Sequence, residues 1–488
     1  MTPAVKPPPD RCCLWRLILE SSSPDSSHNS REIGHNFKIT RMRSAAAEGE
    51  GNRIIHIMEG NENHLASMHR KISEPPRLLT ISAGRPSCCI FRVPESLVEV
   101  NGQAYQPRIV SIGPYHHGKP QLRMIEEHKW RYLGFLLKRI EEKGLVLDDL
   151  LKVLQPLEAK ARYCYSETIQ LGSDEFLEIM VLDGCFIVEL LRKVGNIVSF
   201  EPDDPIISML WILPFFYRDF LRLENQIPFF ILQCLFELTK MPDEKSGRSL
   251  SMLALEFFNN AMLRPDEVIA KFHDLKGQHL LDLVRASFIP SEQDHEPSQV
   301  SAPTRLIHPI SKLRRAGIKF LPGKSDSFLV MKFRHGVIEM PPITIDDFMS
   351  SFLLNCVAFE QCHQSRIKHF TDYATMLDCL VNTYKDVEYL CECNIVENYF
   401  GTEGEIARFI NNIGKDTAFD INNCYLSELF RDVHQHYRNS WHVQWASFKH
   451  TYFETPWSFI SALAALILLL LTIAQTFFTI YAVYKPEK

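Results

Sequence analysis

The chain has 488 residues, of which 45% are apolar and 23% charged, so it is long enough for two or three domains and can bury a large core. Its net charge of −6 leaves no basic stripe to release phosphate counterions, which excludes a nucleic-acid binder. Thirteen cysteines, an odd number without disulfide-framework spacing, and the lack of any Asn-x-Ser/Thr acceptor point toward a reducing compartment.

Residues 1–85 read as a disordered tail. They hold Pro7-Pro8-Pro9, a Ser-rich run from Glu20 to Ser30 and Ala45-Ala46-Ala47, with no helix or strand period. Cys12-Cys13 beside Trp15 are candidates for palmitoylation, two idle thiols being the more ordinary reading. The apolar patch Cys12–Leu19 is cut by Arg16 and is too short and broken for a signal peptide.

A helical lobe is expected over 86–289. After a Pro- and Gly-punctuated extended segment from Ile90 to Pro114, a helix opens at Glu126 with Leu133, Leu136, Leu137 and Ile140 at i, i+3, i+4 and i+7. Ser173–Val194 is apolar nearly all round, which belongs in a core. The apolar stretch Ile206–Leu238 must break or kink at Pro214 and Pro228. Helices are predicted over 250–262 and 264–288, the second with Pro265 at its start.

The polar loop 290–304 reads as a linker to a second lobe, 305–453. There 318–321, 327–334 and 337–340 read as a small antiparallel meander. Asp346 or Asp347 is placed to cap a helix carrying Phe348, Phe352, Cys356 and Phe359, followed by helices over 371–382, 403–412 and 427–448.

Residues 457–484 carry no charged side chain and exceed the roughly 20 residues a helix needs to cross a bilayer. Leu466 and Leu470 lie in the middle of this anchor, with Trp457 at one end and Tyr481 and Tyr484 at the other as interfacial belts. The fold class is therefore mainly α: a helix-rich body with a small β meander and one C-terminal transmembrane helix. A span this late, without a signal peptide, leaves the body in the cytosol. Flanking charges are nearly balanced, Arg438 and Lys449 against Lys485 and Lys488.

Several polar residues interrupt the apolar helices: Asp183, Glu189 and the run Glu224-Asn225-Gln226. A buried carboxylate needs a partner, for which Arg131, Arg192, Arg218 and Arg222 are candidates. The functional reading makes Asp183, Glu224 and His116 a catalytic set in one cleft. The structural reading, a buried network fixing helix register, is favoured because no nucleophile or metal spacing accompanies the acids. His116-His117 on a Gly/Pro-flanked turn is weak as a metal pair. Cys356, Cys362, His363, Cys379, Cys391 and Cys393 form a tempting cluster, but Cys391-x-Cys393 is too tight for structural zinc, so no metal and no cofactor is expected. Gly317 to Ser325 resembles a phosphate-binding loop with one residue too many, and GxSxG, HExxH and GxGxxG are absent. The leading expectation is a membrane-anchored interaction or signalling protein with a protein partner, rather than an enzyme.

The motifs VSIGPYHHGKPQL (Val110–Leu122), EEHKWRYL (Glu126–Leu133), VLDGCFIVELLR (Val181–Arg192), DFLRLENQIPFFIL (Asp219–Leu232), FRHGVIEMPPI (Phe333–Ile343), NCVAFEQC (Asn355–Cys362) and WSFISALAALILLLL (Trp457–Leu471) are in a characteristic order. In these the chain resembles the plant domain-of-unknown-function 247 family, also called uncharacterised protein family 0481, from about Cys88 to Tyr484. Ile125, between Met124 and the acids, is the one small departure. The resemblance implies a plant membrane protein with a helix-rich body and one C-terminal span, and it brings no catalytic residues. The association of some relatives with pollen–stigma self-incompatibility implies an alternative, an outward-facing recognition module.

Overall fold

A helix with no polar face has to be surrounded, and Ser173–Val194 is: from Phe176 to Lys193 all but Glu178 are buried. In the computed structural model, which describes residues 63–74, 78–79, 81–242, 244, 247–290, 306–364, 367–438 and 456–484, this helix is the axis of the body. The helices Arg123–Ile140, Leu147–Leu154, Phe229–Leu238 and Leu250–Met262 pack around it. Phe186, fully buried, meets Tyr132 edge-on at 5.1 Å and Phe216 at 5.8 Å. Each such ring stabilises the fold by about 1.5–3 kcal/mol through burial alone. Gly184 sets the closest approach: a Cβ there would lie 2.5 Å from Leu235 Cδ1, so Phe229–Leu238 sits against bare backbone.

The prolines act as helix starts. Pro214 is the second residue of Leu213–Asp219 and Pro228 immediately precedes Phe229–Leu238, so the chain turns sharply between them at Phe220–Ile227. The single helix expected over 264–288 is instead two, Asp266–Ala270 and Leu280–Ala286. Gly277 packs 2.6 Å (from its would-be Cβ) against the Leu283 backbone, and His279 caps the second helix by accepting from the Asp282 N–H. Leu147–Leu154, Tyr384–Glu392 and the short strand Val396–Asn398 add to the predicted elements.

The sheet corrects the meander. β1 (Lys319–Pro322) pairs parallel with β3 (Val337–Met340), and β2 (Lys332–Arg334) pairs antiparallel with β3, in the order β1-β3-β2. Phe328 and Leu329 are drawn into the core, which removes 327–331 from the expected strand and leaves β2 three residues long. His335 and Gly336, both at positive φ, make the tight β2–β3 turn. A second pair, β4 (Ile343–Ile345) and β5 (Val396–Asn398), is parallel. Asp346 caps Asp347–Cys362 by accepting from the Met349 N–H at 2.7 Å, and the helices His369–Leu380, Glu403–Ile413 and Ser427–Arg438 follow. A continuous apolar core includes residues from Cys88 to Val433.

Residues 63–73, which belong to a separate amino-terminal unit, are helical where no periodic element was predicted. Leu65, Met68 and Ile72 recur there at i, i+3 and i+7. Cys12, Cys13, the bulk of the 290–304 linker and the continuation of the last body helix over 439–448 lie outside the described residues.

Pro456–Tyr484 is one unbroken helix of 29 residues. Trp457, Leu466, Leu470 and Tyr481 are all exposed, and the Tyr484 side chain lies outside the described residues. Its three threonine hydroxyls are satisfied within the helix: Thr472 donates to Leu468 O at 2.8 Å, Thr476 to Thr472 O at 2.8 Å and Thr479 to Gln475 O at 2.7 Å. That is what a segment surrounded by hydrocarbon requires of its polar atoms.

Candidate functional site

The turn Phe220–Ile227 and the loop Val110–Gly118 bring buried polar groups together, and both contain sequence-predicted site residues. The segment Arg108–Gly113 leading into this loop pairs with no strand, so its N–H groups need side-chain acceptors. Asp219 supplies one, accepting from the N–H of Arg108 at 2.9 Å, Ile109 at 2.8 Å and Val110 at 3.2 Å. Asn225 Oδ1 accepts from Ile112 N at 2.7 Å, and Asp183 Oδ2 from Gly113 N at 2.7 Å. Gly113 is needed here: it has φ of +72°, and a Cβ would lie 2.5 Å from Gln226 O.

Asp183 is sealed. Lys129 Nζ lies 2.6 Å from its Oδ1 and also donates to Ser111 O at 2.5 Å, with both side chains shut off from solvent. Burial pushes the Asp183 carboxyl up, while the Lys129 ammonium and the Gly113 N–H oppose it. Glu224 and His116 do come together, with His116 Nε2 3.1 Å from Glu224 Oε2, a contact of distance rather than of hydrogen-bond alignment. Glu224 also accepts from Val93 N at 2.9 Å and Arg92 Nη1 at 2.8 Å. Burial raises the Glu224 carboxyl, but His116, Val93 N–H and Arg92 outweigh it and hold it below the usual range. Burial, seconded by the Lys119 and Arg92 cations, lowers the His116 imidazole against the pull of Glu224. A neutral ring accepting at Nδ1 from Lys119 Nζ at 2.7 Å carries its proton on Nε2, on the side of Glu224. His117 is exposed, so the adjacent histidines diverge and share no site.

This arrangement clamps backbone; it presents no open nucleophile, and His116 is 1% exposed. Of the arginines predicted as partners, Arg192 does contact Glu189, at 3.1 Å. Arg131 goes to Asp203, Arg218 to Asp347 and Arg222 to Asp219. The partners that sequence reasoning missed are Lys129 for Asp183, Arg92 for Glu224, and Arg139, which grips Glu189 with both Nη atoms at 2.6 and 2.5 Å. Among the described residues no group of three His, Cys, Asp or Glu is arranged to hold a metal ion. Cys356 is fully buried in the core.

The most displaced carboxyl outside this network is Asp372. Burial pushes it up to about 7, although the Tyr425 N–H at 3.1 Å and the Cys424 thiol favour its charged form. A carboxyl raised in the folded state costs no stability below its unfolded value and costs progressively more as pH rises through the folded value. Asp372→Asn, which keeps an acceptor for Tyr425, is therefore expected to match the parent near pH 4 and exceed it by up to about 4 kcal/mol at pH 8. Thermal melts across that range check the sign: a variant equally or less stable at pH 8 contradicts it.

The family described as plant protein of unknown function, DUF247, matches residues 90–471. UPF0481 protein At3g47200 of Arabidopsis thaliana is 39% identical over 439 residues, covering 85% of this chain and 91% of that relative. Putative UPF0481 protein At3g02645 of the same plant is 24% identical over 488 residues, covering 80% and 90%. No solved structure matches the chain at a significant level.

Proposed function

The chain belongs to the plant family DUF247, and on that premise we propose that it is a membrane-tethered, non-catalytic interaction protein, held by its C-terminal helix and presenting a rigid helical body to a protein partner. The observation that carries this reading is the stretch Ile460–Tyr481, 22 residues with mean hydropathy 2.3 and none of them buried against the body. A core helix of that composition would be covered by protein, as Ser173–Val194 is. Tethering confines the body to a surface, which raises its effective concentration toward anything else on that surface.

The body faces the cytosol in this reading. Support comes from the cysteines: all eleven described are unpaired, including Cys89 and Cys164, whose backbones are hydrogen-bonded at 3.0 Å. The buried acids support a non-catalytic role, since Asp183, Glu189 and Asp219 are each engaged by cations or backbone N–H groups on elements they hold together. Proximity labelling in plant cells tests the proposal. The full chain should label a reproducible set of membrane proteins, and the chain ending at Thr455 should lose that set. An unchanged set without the helix would refute the tether as the basis of partner choice.

A further inference from the structure

We propose that the pocket where Arg108, Arg218 and Arg222 meet the paired rings Phe400 and Phe409 binds a small organic anion with an aromatic body. The pocket has a volume of about 350 Å³ and lies apart from the Glu224–His116 contact. Small-ligand sites typically begin at roughly 300 Å³.

The three guanidiniums are unequally committed. Arg222 is buried and fixed, donating from Nε to Asp219 at 2.9 Å and from Nη1 to Gln103 O at 2.9 Å, which leaves Nη2 without a hydrogen bond to any described residue. Arg218 stacks on the face of Phe215 at 4.7 Å and reaches one carboxylate, Asp347, at 3.4 Å. The Asp347 side chain is 77% exposed, so that pair is weak and easily exchanged. Arg108 is exposed and forms no ion pair with a described residue. Asp219, the other nearby acid, is saturated by backbone N–H groups and Arg222. Three cations therefore face two carboxylates, and the surplus charge lies in a concavity. Ser350 and Ser351, near the start of Asp347–Cys362, add two hydroxyl groups to the lining. Burial, together with Arg108 and Arg218, pulls Arg222 below its usual value despite Asp219, a repulsion that a bound anion would relieve.

The same pocket is half apolar. Phe400 and Phe409 lie 5.6 Å apart, and Leu354 and Val100 extend their surface. A bare inorganic anion would leave that wall wet, and a neutral aromatic would leave the guanidiniums unanswered. An aryl phosphate or aryl carboxylate answers both, through charge-assisted bonds to Arg and ring contacts with phenylalanine.

Calorimetric titration of the full chain in lipid nanodiscs tests this with four probes: 1-naphthyl phosphate, 1-naphthoate, neutral 1-naphthol and inorganic phosphate. At least one naphthyl anion should bind saturably, with naphthol and inorganic phosphate each weaker by about tenfold or more. Whichever anion binds more tightly identifies the head group. Arg108→Gln and Arg218→Gln, both at the pocket rim, should each weaken binding about tenfold without lowering the melting temperature. The inference is overturned if neither anion binds, if naphthol or inorganic phosphate binds as tightly, or if both variants bind like the parent.

Discussion

Lys129→Met is expected to cost the body about 3–5 kcal/mol, because it leaves the buried Asp183 carboxyl without its counter-ion. Methionine fills much the same volume, so the loss isolates charge from packing. Three contacts go at once: to Asp183 at 2.6 Å, to Glu126 at 2.5 Å and to Ser111 O at 2.5 Å. Adding Asp183→Asn should recover part of that loss, because the asparagine oxygen still accepts from Gly113 while the uncompensated charge is gone. Urea unfolding followed by circular dichroism reads both variants. The structural account fails if Lys129→Met is as stable as the parent, or more stable: a strained catalytic carboxylate behaves that way, trading fold stability for activity.

The central helix was legible from its sequence to the residue, since Ser173–Val194 needed only its apolar circumference to be recognised. Arg192, one of four arginines offered as partners for the buried acids without assignment to any one of them, pairs with Glu189 at i and i+3 on one helix. Lys129–Asp183 spans 54 residues, Arg139–Glu189 spans 50 and Arg92–Glu224 spans 132, and no local period reports such pairings. The β3 register failed similarly. A meander would put β2 between β1 and β3, whereas β3 is central and pairs with β1 directly, an order set by tertiary packing in which Phe328 and Leu329 are buried in the core. Of the proposed acid-base set, Glu224 and His116 do meet while Asp183 is held elsewhere by a lysine that the reading had not considered. His116 and His117, alike in sequence, end up buried and exposed because a turn sends successive side chains apart.

The second large effect concerns the C-terminal helix. Leu466 and Leu470 lie one helical turn apart near the centre of Ile460–Tyr481, both exposed to whatever surrounds the helix. An arginine at the centre of a spanning helix costs about 2.5–3.5 kcal/mol to insert, so Leu466→Arg with Leu470→Arg removes roughly 6 kcal/mol from membrane association. The body is not involved in either contact, so its melting transition should be unchanged. If the helix were instead a core element awaiting a protein cover, the same pair would aggregate or unfold the body while leaving lipid association unaffected.

Vesicle flotation measures this directly. The full chain, synthesised in the presence of liposomes and spun through a sucrose gradient, should rise with the lipid and resist alkaline carbonate. The Leu466→Arg, Leu470→Arg chain and the chain ending at Thr455 should stay in the dense fractions. A full chain that remains at the bottom, or a truncated one that floats as completely, would contradict the tether on which the account rests.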